Sequence, residues 1–421
     1  MEALYVYIGV FGLFFLAGAP VVIALGMAGL ALVLDCHLSF FVFAQQWLMS
    51  TDSLSLTAIF CFMLAGEVMN MGGLTKRLVG LASRLVGNRP GGLAIIVGLG
   101  SMFFASINGS AIATAAAMGS MMIPAMNEEG YDPEFSGAVV AAGGVVGPII
   151  PPSIPMILYA TITSLSVAKV FAGGLFLGIL MGISQFVISY YISRKRGYRG
   201  SGKAVVGTTK GAVWALLLPF FIFMTISAGV LTATEAAAFS VFYAFFVCRV
   251  IYKEISFKDI PALMVRSFIS TSTVMAVVGS ASVSAWILTA QQIPQKLAQA
   301  IISVVHTPTS FLILTFFILI VVGMLMDLTP AVLILAPVFI EPVKLLHVDP
   351  IQFAVIFVAT LVVGLITPPV GTLIYTSCSM TKSSFAKISK ELFPYMIANL
   401  AIIVIGIFFP KLITFIPSMI K

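Results

Sequence analysis

Charge is what this chain has least of. Only 9% of its 421 residues are Asp, Glu, Lys or Arg, against about 25% in an average soluble domain. Sixty per cent are hydrophobic. That balance excludes a soluble enzyme and describes a polytopic membrane protein. No Gly-x-x-x-x-Gly-Lys-[Ser/Thr] stretch occurs, so ATP is not expected to be bound on this chain. The four cysteines (Cys36, Cys61, Cys248, Cys378) lack paired or metal-ligand spacing and read as free thiols. The three histidines (His37, His306, His347) fall near the ends of apolar runs. A buried nucleophile would therefore have no central base, which argues against an intramembrane hydrolase. No filter-like stretch suggests a channel. The net charge of +7 reads as topology and not as nucleic-acid binding, because the basic residues sit in short loops between apolar spans. The N-terminus has no basic n-region or small-residue cleavage site, and no removed signal peptide is expected.

What is present is a pair of broken apolar runs. Within 135–161 stands Gly143-Gly144-Val145-Val146-Gly147-Pro148-Ile149-Ile150-Pro151-Pro152-Ser153, and within 351–375 stands Gly364-Leu365-Ile366-Thr367-Pro368-Pro369-Val370-Gly371. Proline removes a backbone donor and clashes with the preceding turn. In hydrocarbon the freed carbonyls find no water, so broken backbone persists only where protein or a water-filled cavity covers it. One Gly-x-x-x-Pro-Pro break in each half is the pattern of a secondary transporter with inverted repeats.

The rest of the chain supports two halves. A first repeat is expected over 1–193, with a re-entrant hairpin at 91–126 and a broken helix at 135–161. A basic cytoplasmic loop fills 194–210. A second repeat covers 211–421, with a hairpin at 311–340 and a broken helix at 351–375. The run 4–34 is one long helix or two short ones. Residues 75–85 predict an amphipathic helix lying in the interface. Thr232-Ala233-Thr234-Glu235 predicts a capping box. Placing 74–90, 193–211, 249–266 and 381–390 inside collects 17 of the 22 basic residues there. The two hairpins then open from opposite sides. The fold class expected is an all-α polytopic membrane protein with two re-entrant hairpins, two broken helices and about 10–12 spans.

Unwound backbone offers carbonyl oxygens to a small hard cation, of which Na⁺ is the abundant one, and half-helix N-termini offer the opposite sign to anions. The expected cation ligands are Gly147, Ile150 and Pro151 with Ser106 and Asn108 of the first hairpin, and Gly364, Thr367 and Val370 with Gly323 of the second. Asp327 is an acid near mid-bilayer, costly unless partnered or used. Four roles stand open to it: bonds to the tip amides, a cation ligand, a proton carrier or a substrate contact, and for the last it is grouped with Ser110, Ser153 and Thr329. Glu67 is expected nearer an interface. No catalytic residue, metal other than Na⁺, or organic cofactor is expected.

Taken together, the chain resembles the large membrane subunit (DctM family) of TRAP transporters, the tripartite ATP-independent periplasmic carriers. The likeness rests on Leu64 to Leu74, the first hairpin tip, Gly143 to Ser153, Thr232 to Ala238, Asp327-Leu328-Thr329-Pro330 followed by Leu333 to Pro337, and Gly364 to Gly371. It departs at Asn108-Gly109-Ser110, where the family usually reads Ser-Gly-Ser. An Asn carbonyl still suits a cation. The resemblance implies an elevator-type, Na⁺-coupled carrier in a bacterial inner membrane. It implies a separate small four-helix membrane subunit of DctQ type and a periplasmic substrate-binding protein of DctP type. The substrate implied is an organic acid: a C4-dicarboxylate, sialic acid or sugar acid. The rival is a stand-alone Na⁺-coupled carrier of dicarboxylate or citrate type that needs no binding protein.

Overall fold

The computed structural model describes residues 2–86, 89–198 and 211–420, and every regular element in them is helical. The run 4–34 forms two helices, α1 (Glu2–Leu16) and α2 (Val21–Asp35), packed on each other. Gly18 between them takes a φ of +79°, and Pro20 can begin but not continue a helix. Next come α3 (Phe40–Thr51), α4 (Leu54–Met71) and α5 (Leu74–Val86). A helix pair follows, α6 (Gly92–Asn108) and α7 (Ala111–Glu128), then α8 (Pro133–Val146), α9 (Ile154–Thr163) and α10 (Val167–Arg196).

The second half contains α11 (Ala212–Ser227), α12 (Ala233–Phe246) and α13 (Ile260–Ala290). It continues through α14 (Ile293–Val304) and the pair α15 (Pro308–Leu325) and α16 (Leu328–Leu345). It ends with α17 (Pro350–Gly364), α18 (Thr372–Thr381), α19 (Phe385–Phe408) and α20 (Lys411–Met419). The order short amphipathic helix, helix pair, broken helix, long helix thus occurs twice. Its punctuation recurs too. Asp132-Pro133 opens α8 and Asp349-Pro350 opens α17. The left-handed residues Ser164 and Lys382 close α9 and α18.

Several elements differ from the sequence reading. Six helices among the described residues are long and apolar enough to cross a bilayer, or seven if α3 and α4 form one bent span. The expected 10–12 counted broken runs as whole crossings. Their pieces are shorter than the roughly 20 residues a crossing requires. The two tips are smaller than the polar stretches suggested: only Gly109-Ser110 and Met326-Asp327 leave the helical path. Helix α13 starts at Ile260, well before the apolar stretch, because Pro261 sits in its first turn, where proline is tolerated. Of the basic loop, Arg194 to Arg196 end α10, whereas Arg199, Lys203 and Lys210 lie outside the described residues. The capping box at Thr232 forms: its amide donates to Glu235 Oε2 at 2.8 Å, and the Glu235 amide donates to Thr232 Oγ1 at 3.2 Å.

The core lies around α8 and α17. Residues Phe135–Val146 and Gln352–Gly364 are all buried, as expected of helices apolar on every side. Two buried glutamines stitch them to the long helices. Gln185 Nε2 of α10 donates to the Ala142 carbonyl at 2.6 Å, and Gln352 Nε2 of α17 donates to the carbonyls of Gly406 and Ile407 at 3.0 and 3.2 Å. Each helix pair then meets both broken helices. Helix α7 packs on α8 and α18, while α15 packs on α17 and α16 on α9.

Candidate transport site

Broken helices deliver short helix ends to the middle of the fold, and the helix pairs deliver two more. Helix α6 ends at Asn108, Gly109 turns at φ +64°, and Ser110 caps α7 by accepting from the Ala113 amide at 3.4 Å. A side chain could not replace the Gly109 hydrogen freely. A Cβ there would lie 2.6 Å from the Pro152 carbonyl oxygen and 3.1 Å from the Ile154 amide. The first tip is therefore seated directly on the first break. The second pair meets its own break further back. A Cβ on Gly323 would lie 2.7 Å from the Leu361 carbonyl oxygen and 3.1 Å from Gly364 Cα. Gly323 and Gly364 thus form a bare backbone crossing between α15 and α17.

Between the tips and the first break lies a cavity of ≈150 Å³. Gly109, Ser110, Ala111 and Ile112 line it from the first tip, Pro148, Ile154 and Pro155 from the first break, and Asp327, Leu328 and Thr329 from the second tip. Leu365 closes it from the second break, and Met63 of α4 and Val274 of α13 from outside. The first turns of α7, α9 and α16 therefore converge on one space. Their unpaired amides and the macrodipoles behind them favour an anion. None of the lining residues is basic. Asp327 is the N-cap of α16, but its side chain accepts no capping bond from that helix and has no ion-pair partner among the described residues.

The breaks carry bare carbonyls. Among the described residues no donor reaches the carbonyl oxygens of Gly147, Ile149, Ile150, Pro151 or Pro152, nor those of Ile366, Thr367, Pro368, Pro369 or Val370. Both breaks hold a cis bond between their two prolines. Gly147 abuts the first tip: a Cβ there would lie 3.0 Å from the Ser110 carbonyl oxygen and 3.1 Å from Thr114 Oγ1.

The structure gathers some expected site residues and separates others. Ser110, Asp327 and Thr329 share the cavity. Ser153 is buried and committed elsewhere: its hydroxyl donates to the Pro148 carbonyl and accepts from the Met156 amide at 3.3 Å, capping α9. Ser106 donates back to the Phe103 carbonyl at 2.7 Å. Asn108 faces a different cavity on the other side of the tip. Gly147, Ile150 and Pro151 are buried, and Ile150 fills the space over Gly178 of α10. Thr367, 9% exposed, donates to the Val363 carbonyl at 2.8 Å. Pro368 to Val370 reach the surface of the chain and do not line the cavity. Glu67 is only half-buried and lines the cavity that Asn108 faces.

Sequence reasoning missed Met63, Val274 and Pro155 as wall residues. Ser153-Ile154-Pro155 was legible as a cap followed by an early-helix proline. Met63 and Val274 carry no local signal. The amphipathic reading of 75–85 also leaves basic residues no place in the core, yet Arg77 is 7% exposed. Its guanidinium pairs with Glu254 at 2.7 Å, donates to the Gly73 carbonyl at 3.0 Å and lies 3.7 Å over the Tyr252 ring. Burial of an arginine needs that many partners, and two of them, Glu254 and Tyr252, come from a segment 175 or more positions away.

Comparison with known proteins identifies the family. The family model described as "Tripartite ATP-independent periplasmic transporter, DctM component" matches residues 8–412. The chain is 37% identical over 403 residues to the 2,3-diketo-L-gulonate TRAP transporter large permease protein YiaN of Escherichia coli strain K12, covering 94% of each. It is 33% identical over 373 residues to the C4-dicarboxylate TRAP transporter large permease protein DctM of Pseudomonas aeruginosa, covering 88% of this chain and 87% of that one. In fold it is similar to the Alcanivorax borkumensis YdaH transporter, with a TM-score of 0.69 over 88% of both chains at 12% identity. The chain therefore belongs to the DctM family, the large permeases of tripartite ATP-independent periplasmic transporters, which are transporters and not enzymes.

Proposed function

We propose that this large permease carries an organic acid across a bacterial inner membrane, driven by Na⁺ and supplied by a periplasmic binding protein of DctP type. The observation that carries the reading is the convergence of three helix N-termini on one cavity without a basic side chain. Such a site holds a carboxylate by amides and dipoles, which cost no desolvation of a lysine or arginine. Each break also carries a row of bare carbonyls, the first buried and the second partly exposed, and a hard cation is a group that satisfies such carbonyls. Na⁺ bound at Gly147, Ile150 and Pro151, and at Thr367 and Val370, would fix the tips before substrate enters. Asp327 would accept from a hydroxyl of the acid or share the cation. A C4-dicarboxylate, sialic acid or sugar acid fits that description. A separate four-helix subunit of DctQ type would hold the outer helices.

We further propose that the two helix pairs re-enter the membrane from opposite sides as parts of inverted repeats. The bundle of α6 to α10 and α15 to α20 would then move as one body against α1 to α4 and α11 to α13. The contacts between these groups run through three helices: α4 meets α6 and α9, α11 meets α6 and α10, and α13 meets α16.

The test is uptake of radiolabelled succinate, sialic acid and gluconate into proteoliposomes holding the permease with its small subunit. Uptake that needs both an inward Na⁺ gradient and the binding protein supports the reading. Na⁺-driven uptake without the binding protein would replace it with the stand-alone carrier.

A further inference from the structure

The first tip separates two cavities. Gly109 to Ile112 line the inner one, whereas Asn108 and Ala113, the residues on either side, line a larger space of ≈430 Å³. One helix runs past both. On α4, Met63 faces the inner cavity, and Gly66 and Glu67, one turn further on, and Asn70, two turns on, face the other one. The tip rests on α4 at Gly66, where an added Cβ would lie 3.6 Å from Asn108. The partition between the two spaces is thus a single tip, touching a glycine.

The larger space is polar where the inner one is not basic. Glu67, Asn70, Thr75, Lys76, Asn108 and Ser120 line it. Thr75 Oγ1 donates to Asn70 Oδ1 at 3.3 Å. Lys76 has no ion-pair partner among the described residues, and Glu67, in the same cavity, does not pair with it. The base of Lys76 is held in place by its neighbour. Arg77 Nη1 donates to the carbonyls of Gly72 and Gly73 at 3.4 and 3.0 Å, and Nη2 pairs with Glu254. Tyr252, beneath that guanidinium, donates in turn to the Gly211 carbonyl at 2.6 Å. A fixed backbone thus presents a long, unpaired ammonium to a polar cavity.

We propose that this second cavity is a carboxylate-binding station, in which Lys76 takes the acid as it leaves the helix N-termini of the inner site. The inference rests on the transport reading above and adds a contact to it. The inner site holds an anion by dipoles that fade within a turn. A mobile ammonium one tip away supplies attraction on the outward side of that field, so the acid passes between two shallow wells instead of leaving one deep one. Asn70 Nδ2 supplies a neutral donor in the same cavity, whereas the Thr75 and Ser120 hydroxyls already donate to Asn70 Oδ1 and to the Ala117 carbonyl. Glu67 limits how tightly the station holds its ligand.

The experiment reads local charge without requiring transport. In the full chain with Cys36, Cys61, Cys248 and Cys378 replaced, Ser120→Cys is labelled with sulfonatoethyl and trimethylammonioethyl methanethiosulfonates. The expected result is a preference for the anionic reagent that falls about five- to tenfold in Lys76→Gln, as removal of one nearby charge requires. Lys76→Arg should restore it. Succinate should slow the anionic reagent more than chloride of equal ionic strength, and only with Lys76 present. A reagent ratio unchanged by Lys76→Gln, or succinate no better than chloride, would overturn the proposal. Because labelling is independent of uptake, a Lys76-dependent ratio in a complex without Na⁺-driven uptake would refute the transport reading and leave the anion site standing.

Discussion

The two halves run through the same elements in the same order, yet they present different chemistry at equivalent places. Ser110 caps α7 at the first tip and Asp327 stands before α16 at the second. The first break is buried from Gly147 to Ser153, whereas the second surfaces at Pro368 to Val370. The first tip sits on its break through Gly109, and the second pair crosses its broken helix further back through Gly323 and Gly364. The first amphipathic helix, α5, is clamped by Arg77 to Glu254 of the other half. In α14 the one charged residue, Lys296, donates among the described residues only to the nearby Gln291 carbonyl at 3.4 Å. A repeated backbone therefore supplies the cavity and its dipoles, while single substitutions between halves decide where a charge stands and which arm is fixed.

The comparison breaks first at the tips. On the proposed reading, Asp327→Ala should cut uptake by roughly a hundredfold or more with expression intact, since Asp327 is the one acid among the described residues lining that cavity. Ser110→Ala should lose a cap of about 1 kcal/mol and about tenfold in uptake at most. Equal losses in reconstituted uptake would show that the halves contribute alike. Uptake surviving in Asp327→Asn would show that the charge is not what distinguishes them.

Glycine positions sharpen the comparison next. Gly364→Ala drives a methyl into the backbone of Gly323 and should destabilise by about 1–3 kcal/mol. Gly66→Ala meets Asn108 only at 3.6 Å and should be neutral or slightly stabilising within α4. Thermal unfolding of the two variants in detergent compares them directly. A neutral Gly364→Ala would mean that the crossing is looser than described.

The arms come third. Arg77→Ala leaves Glu254 unpaired. A fully buried break costs about 3–5 kcal/mol, but Glu254 is 37% exposed, so about 1–3 kcal/mol is expected after solvent screening. Lys296→Ala should stay within about 0.5 kcal/mol. Matched melting shifts would remove the asymmetry.

The last comparison concerns Thr367. Its hydroxyl fixes the Val363 carbonyl beside the second row of bare oxygens, and a hydrogen bond of that kind contributes about 1 kcal/mol. Thr367→Ala should raise the Na⁺ concentration for half-maximal uptake about fivefold. An unchanged Na⁺ dependence would move the cation away from the second break.

How much of this could be read beforehand follows from which signals are local. Prolines and glycines state their own constraints, so both breaks were visible as Gly-x-x-x-Pro-Pro. The boundaries of α8 and α17 follow from Asp-Pro caps close to them in sequence. The helix pairs were legible as apolar runs with a polar interruption, although helix continued into Ser106-Ile107-Asn108 because Ser106 could bond its own backbone. What sequence could not show was direction. Asn108 and Ser110 are two residues apart but face different cavities, since a left-handed Gly109 lies between them. The same limit applies to Arg77 and Lys76, adjacent residues of which one is clamped and the other faces a cavity.

On the proposed reading the space where α7, α9 and α16 begin holds the transported acid. Thr329→Cys in a background lacking the four native cysteines places a thiol in the wall of that space. Its alkylation by a small maleimide would be timed in the reconstituted complex with Na⁺ alone, with a transported acid alone, and with both. The account predicts protection only when both are present. An alkylation rate unaffected by the acid in a variant that still transports it would contradict the account and put the substrate elsewhere in the fold.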